Sequence, residues 1–186
     1  CPGCRRRRAG SGARPPQWAI AVDANSGKIL YEKEATSPLE VGAITNILTA
    51  YLVYEAIADG KLSLETEVDI SDYAYQLTVN PAIANLPLEA RRYKVKDLLN
   101  ASLLVSANSA TIALAEKVAG SEENFVKMMK AKLKEWNISD ATIVNATGTD
   151  IRLLDGSLET TNTEEEAAEN SKSKKKQETV NKFSAY

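Results

Sequence analysis

Residues 39–60, from Leu39-Glu40-Val41-Gly42-Ala43-Ile44-Thr45-Asn46 to Ala58-Asp59-Gly60, leave the chain little choice of fold. Ile44, Ile47, Leu48, Tyr51 and Leu52 recur at helical spacing, and Val53, Ala56 and Ile57 widen the apolar face. A stripe this wide predicts a helix buried on most sides. Gly42 lets the chain turn in at its start, and Gly60 stands where a left-handed cap would end it. A buried central helix whose first turn opens onto a cleft suits a nucleophile, because backbone donors there favour developing negative charge. At that turn this helix carries Ala43 and Asn46.

A buried helix needs a core around it, and 186 residues at 44% hydrophobic content supply one for a single domain. The net charge of -2 gives no reason to invoke nucleic acid or a membrane surface. The chain has no histidine, which removes every Ser-His-Asp or Cys-His mechanism and every His-ligated metal site. A general base must then be Lys, Asp, Glu or Tyr. Cys1 and Cys4 form a lone C-x-x-C without a second pair or a strand-helix context, too little for a zinc or redox site. No run is long enough to span a bilayer, and no leader or anchor is visible. The chain begins with Cys instead of Met, as a processed or partial chain would.

Residues 1–16 are rich in Gly, Pro and Arg and lack periodicity, so a disordered tail is expected there. The run Arg5-Arg6-Arg7-Arg8 fits a solvated tail better than an anion-binding arm. Trp18 to Ala24 and Lys28 to Lys33 are β-prone runs joined by Asn25-Ser26-Gly27, a hairpin signal. After Gly60 an extended excursion (Leu62, Leu64, Val68, Ile70) precedes a loop-rich segment through Tyr73, Tyr75, Pro81 and Pro87. Helices are expected over residues 95–104 and 109–119, and a third follows Ser121 as N-cap, with Phe125, Met129, Leu133 and Trp136 on its core face. Residues 140–148 read as a short strand and turn. A charged, flexible loop or tail is expected over 155–182, and the start of a truncated element at 183–186.

Several of these features coincide with one family. The Ile20–Leu30 hairpin, the Gly42-Ala43-Ile44-Thr45-Asn46 helix start, Ser106-Ala107-Asn108 between two helices and Asn145-Ala146-Thr147-Gly148 occur in a telling order. Ser106 follows Ala43 by 63 positions. Residues 17–149 thereby resemble the N-terminal half of the serine D-Ala-D-Ala carboxypeptidases, the low-molecular-mass penicillin-binding proteins. The resemblance implies an α+β, β-lactamase/transpeptidase-like fold, here a partial domain over residues 17–154. It would hold an N-terminal hairpin and a helical cluster, with most of the five-stranded antiparallel sheet missing. It also implies acyl transfer from an S-x-x-K serine whose lysine, one helical turn on, shares its proton. The S-x-N serine relays the proton, its asparagine holds the substrate amide, and a K-T-G strand closes the cleft.

The chain departs from that scheme three times. Ala43 takes the nucleophile position, Asn46 the general-base position, and no Lys-Thr-Gly or Lys-Ser-Gly occurs. Loss of nucleophile and base costs several powers of ten in rate, so no turnover is expected. Ser106 and Asn108 are the catalytic positions that still match. Thr45 and Thr49 carry nearby hydroxyls, but Thr45 is one residue off the required face. No cofactor or metal is implied. By resemblance the partners are a peptidoglycan stem peptide or a β-lactam, outside the cytoplasmic membrane, with no nucleic acid. The rival readings are a non-catalytic module that binds peptidoglycan or a protein partner, and a fragment without function.

Overall fold

The computed structural model describes residues 18–83, 85–154 and 178–184. The expected tail 1–16 and residues 155–177 of the charged stretch lie outside them. The chain divides into two units, residues 1–37 with 184–186, and residues 38–183.

In the first unit, β1 (Ala19–Val22) pairs antiparallel with β2 (Ile29–Lys33), Ala19 opposite Lys33 and Ile20 opposite Glu32. The register slips between Ala21 and Val22, leaving Leu30 as an extra residue on β2. The link is residues 23–28, longer than Asn25-Ser26-Gly27 alone. Asp23 organises it: its Oδ1 accepts from the Ser26 hydroxyl and from the Ser26 and Asn25 amides. These bonds, the Ser26 hydroxyl foremost, hold the Asp23 carboxyl below its ordinary pKa.

The second unit is a helical cluster flanked by two two-stranded sheets. β3 (Leu39–Val41) pairs with β6 (Asn181–Phe183), and β4 (Glu67–Asp69) with β5 (Arg92–Lys94), both antiparallel. The helices are α1 (Thr45–Ala58), α2 (Asp72–Thr78), α3 (Val95–Leu104), α4 (Asn108–Ala119), α5 (Glu122–Glu135) and the short α6 (Ile151–Leu154). α1 packs against α3, α4 and α5. Val53, Leu98, Leu99, Ile112 and Leu114 form one core cluster, and Leu48, Leu52, Phe125, Met129 and Leu133 the other. Each such side chain contributes about 1.5–3 kcal/mol by leaving water. The chain is thus α+β, with the helices dominant.

Several elements depart from the sequence reading. Part of the expected apolar stripe of α1 is buried as read, but Ile44 at 56%, Ile47 at 65% and Tyr51 are exposed. The buried side takes Thr45, Asn46 and Thr49 beside the stripe residues Leu48, Leu52, Val53 and Ala56. Polar residues go inside because α3, α4 and the 145–149 turn supply hydrogen-bond partners there, which makes their burial affordable. The exposed stripe joins Trp136 and Phe183 to line an apolar groove of about 290 Å³, with the Tyr51 and Trp136 rings edge to face at 4.9 Å. Trp136 therefore lies outside the core that holds Phe125, Met129 and Leu133. Residues 72–78 are helical, not loop; Ser71 accepts from the Ala74 amide as N-cap. β3 and β5 were not anticipated, and the expected strand at 140–148 is reduced to one bridge, Thr142 to Lys182.

Candidate active site

The entry to α1 is a tight turn in which the Thr45 and Asn46 amides donate to the Gly42 and Ala43 carbonyls at 3.0 Å each. Ala43 is exposed there, and Asn46 points inward at 3% exposure. The Asn46 Nδ2 donates to the Ser102 carbonyl of α3 at 3.2 Å, and its Oδ1 accepts from the Thr111 hydroxyl of α4 at 3.4 Å. Thr111 Oγ1 also lies 2.7 Å from Ser102 Oγ and 3.1 Å from the Ala107 carbonyl. Thr111 has one proton for two acceptors, so the Ser102 hydroxyl donates to the Thr111 oxygen. Asn46 is a neutral amide held at both ends, with no basicity to offer.

Ser106 and Asn108 sit where α3 turns into α4. Ser106 is half-buried with φ +55°, left-handed backbone that costs a non-glycine residue about 1–2 kcal/mol. Asn108 is buried at the first position of α4, and its Oδ1 accepts from Thr149 Oγ1 at 2.7 Å. The structure thus ties Asn46 to α3 and α4, and Asn108 to the turn at residues 145–149.

That turn is braced by several buried hydrogen bonds. Asn145 Oδ1 accepts from the Gly148 amide at 2.7 Å, and Thr49 Oγ1 donates to the Ala146 carbonyl at 2.8 Å. Asn181, fully buried on β6, accepts from the Val144 and Asn145 amides at 2.6 and 3.1 Å. Its Nδ2 donates to the Asn145 carbonyl at 2.9 Å and to Thr45 Oγ1 at 3.2 Å. Thr45 and Thr49 are therefore buried structural hydroxyls. Gly148, at φ +76°, packs so closely on α1 that a Cβ there would lie 2.1 Å from the Gly42 carbonyl oxygen and 2.5 Å from Thr45 Oγ1. Sequence reading picked out the 145–148 turn but missed Asn181. Its only sequence signal is an Asn two positions before Phe183.

Glu122, at the start of α5, accepts from the Ala146 amide at 3.0 Å. Burial is the main cause that raises its pKa above the ordinary 4.5, the Ala146 bond opposes it, and Glu116 adds to it. The folded state therefore holds this proton more tightly than the unfolded chain, and stability falls as pH rises from 4.5 through the raised value. Glu122→Gln keeps an oxygen for Ala146 and removes the buried charge. The variant is expected to melt higher than the parent at neutral pH and equally at about pH 4, read by thermal unfolding across pH. A variant that melts lower at neutral pH would refute this account of Glu122.

The described residues hold no group of three His, Cys, Asp or Glu placed to bind a metal ion, and no helix among them is long and apolar enough to cross a membrane. A helix entry, a Ser-x-Asn junction and a braced turn gathered in an α+β body define a transpeptidase-like domain, the fold of the penicillin-binding proteins. The comparisons narrow this to one family. Residues 13–180 match the profile of the D-alanyl-D-alanine carboxypeptidases, and the chain belongs to that family. It is 31% identical over 136 residues to D-alanyl-D-alanine carboxypeptidase DacF of Bacillus subtilis, covering 73% of this chain and 34% of that protein. It is 33% identical over 135 residues to DacC of Escherichia coli, covering 70% and 34%. A solved peptidoglycan synthesis regulatory factor (PBP3) from Streptococcus pneumoniae superposes with a TM-score of 0.77 at 54% identity, over 91% of this chain and 44% of that one. Penicillin-binding protein D2 from Listeria monocytogenes, solved with ampicillin bound, gives 0.61 at 28% identity, over 72% and 52%. The chain spans about a third of the length of the curated relatives it matches.

Proposed function

We propose that this chain keeps the cleft of a D-alanyl-D-alanine carboxypeptidase without its acyl-transfer chemistry. The observation that carries this reading is Asn46. At the position of the family's lysine stands a buried neutral amide whose donor and acceptor are engaged by Ser102 and Thr111. Ala43, at the nucleophile position, offers a methyl group, and the two nearby threonines are committed to Asn181 and Ala146. Ser106 and Asn108 keep the places from which the family relays a proton and holds the substrate amide. The ligand class is then the D-Ala-D-Ala end of a peptidoglycan stem peptide or a β-lactam, met outside the cytoplasmic membrane and released unchanged. The resemblance and the ampicillin-bound Listeria neighbour support that class.

The test is the intact mass of the folded protein before and after incubation with a penicillin. The expected result is an unchanged mass. A gain of one acyl group would mean that another hydroxyl, Ser106 foremost, has become nucleophilic, and the reading would fail. Ala43→Ser combined with Asn46→Lys is also expected to remain unacylated, because the chain contains no Lys-Thr-Gly. A measurable acylation rate in that double variant would count against this. With the mass unchanged, reversible binding of the same penicillin by calorimetry separates a binding module from a chain with no ligand.

A further inference from the structure

Three elements brace the turn at residues 145–149: α1 through Thr49, α5 through Glu122 and β6 through Asn181. Its last residue, Thr149, is also held at both backbone groups by side chains of the turn itself. The Thr149 amide donates to Thr147 Oγ1 at 3.2 Å, and its carbonyl accepts from Asn145 Nδ2. A β-branched side chain is stiff about its first torsion, so a fixed Thr149 backbone also fixes its hydroxyl. That hydroxyl crosses to α4, 41 positions away in the chain, and donates to Asn108 Oδ1 at 2.7 Å. Asn108 has little local support. It follows Ala107, which caps α4 without a side-chain bond, and Ser106, whose backbone is left-handed. The terminal torsion of an asparagine is broad, so its amide needs an outside partner to hold one setting.

We propose that Thr149 is a positioning residue, whose hydroxyl sets the Asn108 amide in the place from which Asn108 meets the ligand. The inference rests on the reading of this cleft as a ligand site. Thr149 acts on the ligand only through Asn108, and the braces of the turn serve to keep its hydroxyl in place. A binding group held by a second residue in this way is ordered before the ligand arrives, and the cost of ordering it does not fall on binding. Without the hydroxyl, the Asn108 amide is free to turn and that cost returns.

A double-variant cycle on reversible penicillin binding, followed by calorimetry, tests this. Thr149→Val keeps the shape of the side chain without the hydroxyl, and is expected to weaken binding about tenfold. Thr149→Ser returns a hydroxyl and is expected to bind within about twofold of the parent. Asn108→Ala also weakens binding, and adding Thr149→Val to it is expected to change nothing more. Additive losses, a Thr149→Val variant that binds like the parent, or a Thr149→Ser variant as weak as Thr149→Val would overturn the proposal. The side-chain amide resonances of Asn108, identified by their loss in Asn108→Ala, give a readout that needs no ligand. They are expected to move and broaden in Thr149→Val and to stay in place in Thr149→Ser, while the backbone signals of α4 persist in both. Resonances unmoved by Thr149→Val would also overturn it. A parent that binds no penicillin would sink the ligand reading instead, and these resonances would then decide by themselves whether Thr149 sets Asn108.

Discussion

Asn181→Ala is expected to cost the helical body about 4 kcal/mol, a large fraction of the stability of a domain this size. The substitution deletes one side chain yet leaves four groups without their partner: the Val144 and Asn145 amides, the Asn145 carbonyl and the Thr45 hydroxyl. Each buried polar group left unpaired costs about 1–3 kcal/mol, and the alanine cavity is too small to admit water to all four. Urea unfolding followed by far-ultraviolet circular dichroism gives the measurement. Asn181→Asp should fall between parent and alanine variant, since it keeps an acceptor for the two amides and the Thr45 hydroxyl can turn to donate. An alanine variant within about 1 kcal/mol of the parent would show that the network contributes little.

Gly148→Ala is expected to cost about 3 kcal/mol, combining a left-handed backbone penalty of about 1 kcal/mol with a steric one of about 2. The second part dominates because the obstacle at 2.1 Å is the Gly42 backbone carbonyl, which cannot swing aside as a side-chain end can. Gly120 supplies the control. It has a similar φ of +79° at the end of α4 but nothing within 4 Å of an added Cβ. Gly120→Ala should therefore show the backbone penalty alone. Equal losses in the two variants would mean that α1 and the 145–149 turn are less tightly joined than described.

The helices α3, α4 and α5 were legible in the sequence because each carries its own local signal, whereas the four-residue α6 was not. Phe125, Met129 and Leu133 recur at helical spacing behind a Ser121 cap, and the buried positions follow that spacing. The α1 helix was legible as a helix, with Leu48, Leu52, Val53 and Ala56 buried as read, but its buried face is turned further than the stripe. The two differ in part because three polar residues find partners 56 to 136 positions away, through Asn46 with Ser102, Thr49 with Ala146, and Thr45 with Asn181. No local pattern announces a partner at that distance. The short strands β3, β5 and β6, at three residues each, hold too few residues for an alternation to register. Of the candidate site, Ala43, Asn46, Ser106 and Asn108 were singled out by motif order alone. The bracing by Gly148 and Asn181 could not, since it depends on how closely two backbones approach.

The bond from Asn181 to Thr45 spans 136 positions, which also bears on the timing of folding. During synthesis the first turn of α1 leaves the ribosome 136 positions before its Asn181 anchor. Until then the helix entry and the 144–149 segment lack the bonds that Asn181 makes to Thr45, Val144 and Asn145. Such long-range closure is the slow part of folding and the interval in which chains associate wrongly. Nascent chains of this protein should therefore depend most on chaperones in the interval before Asn181 emerges, well after most of the helices have formed.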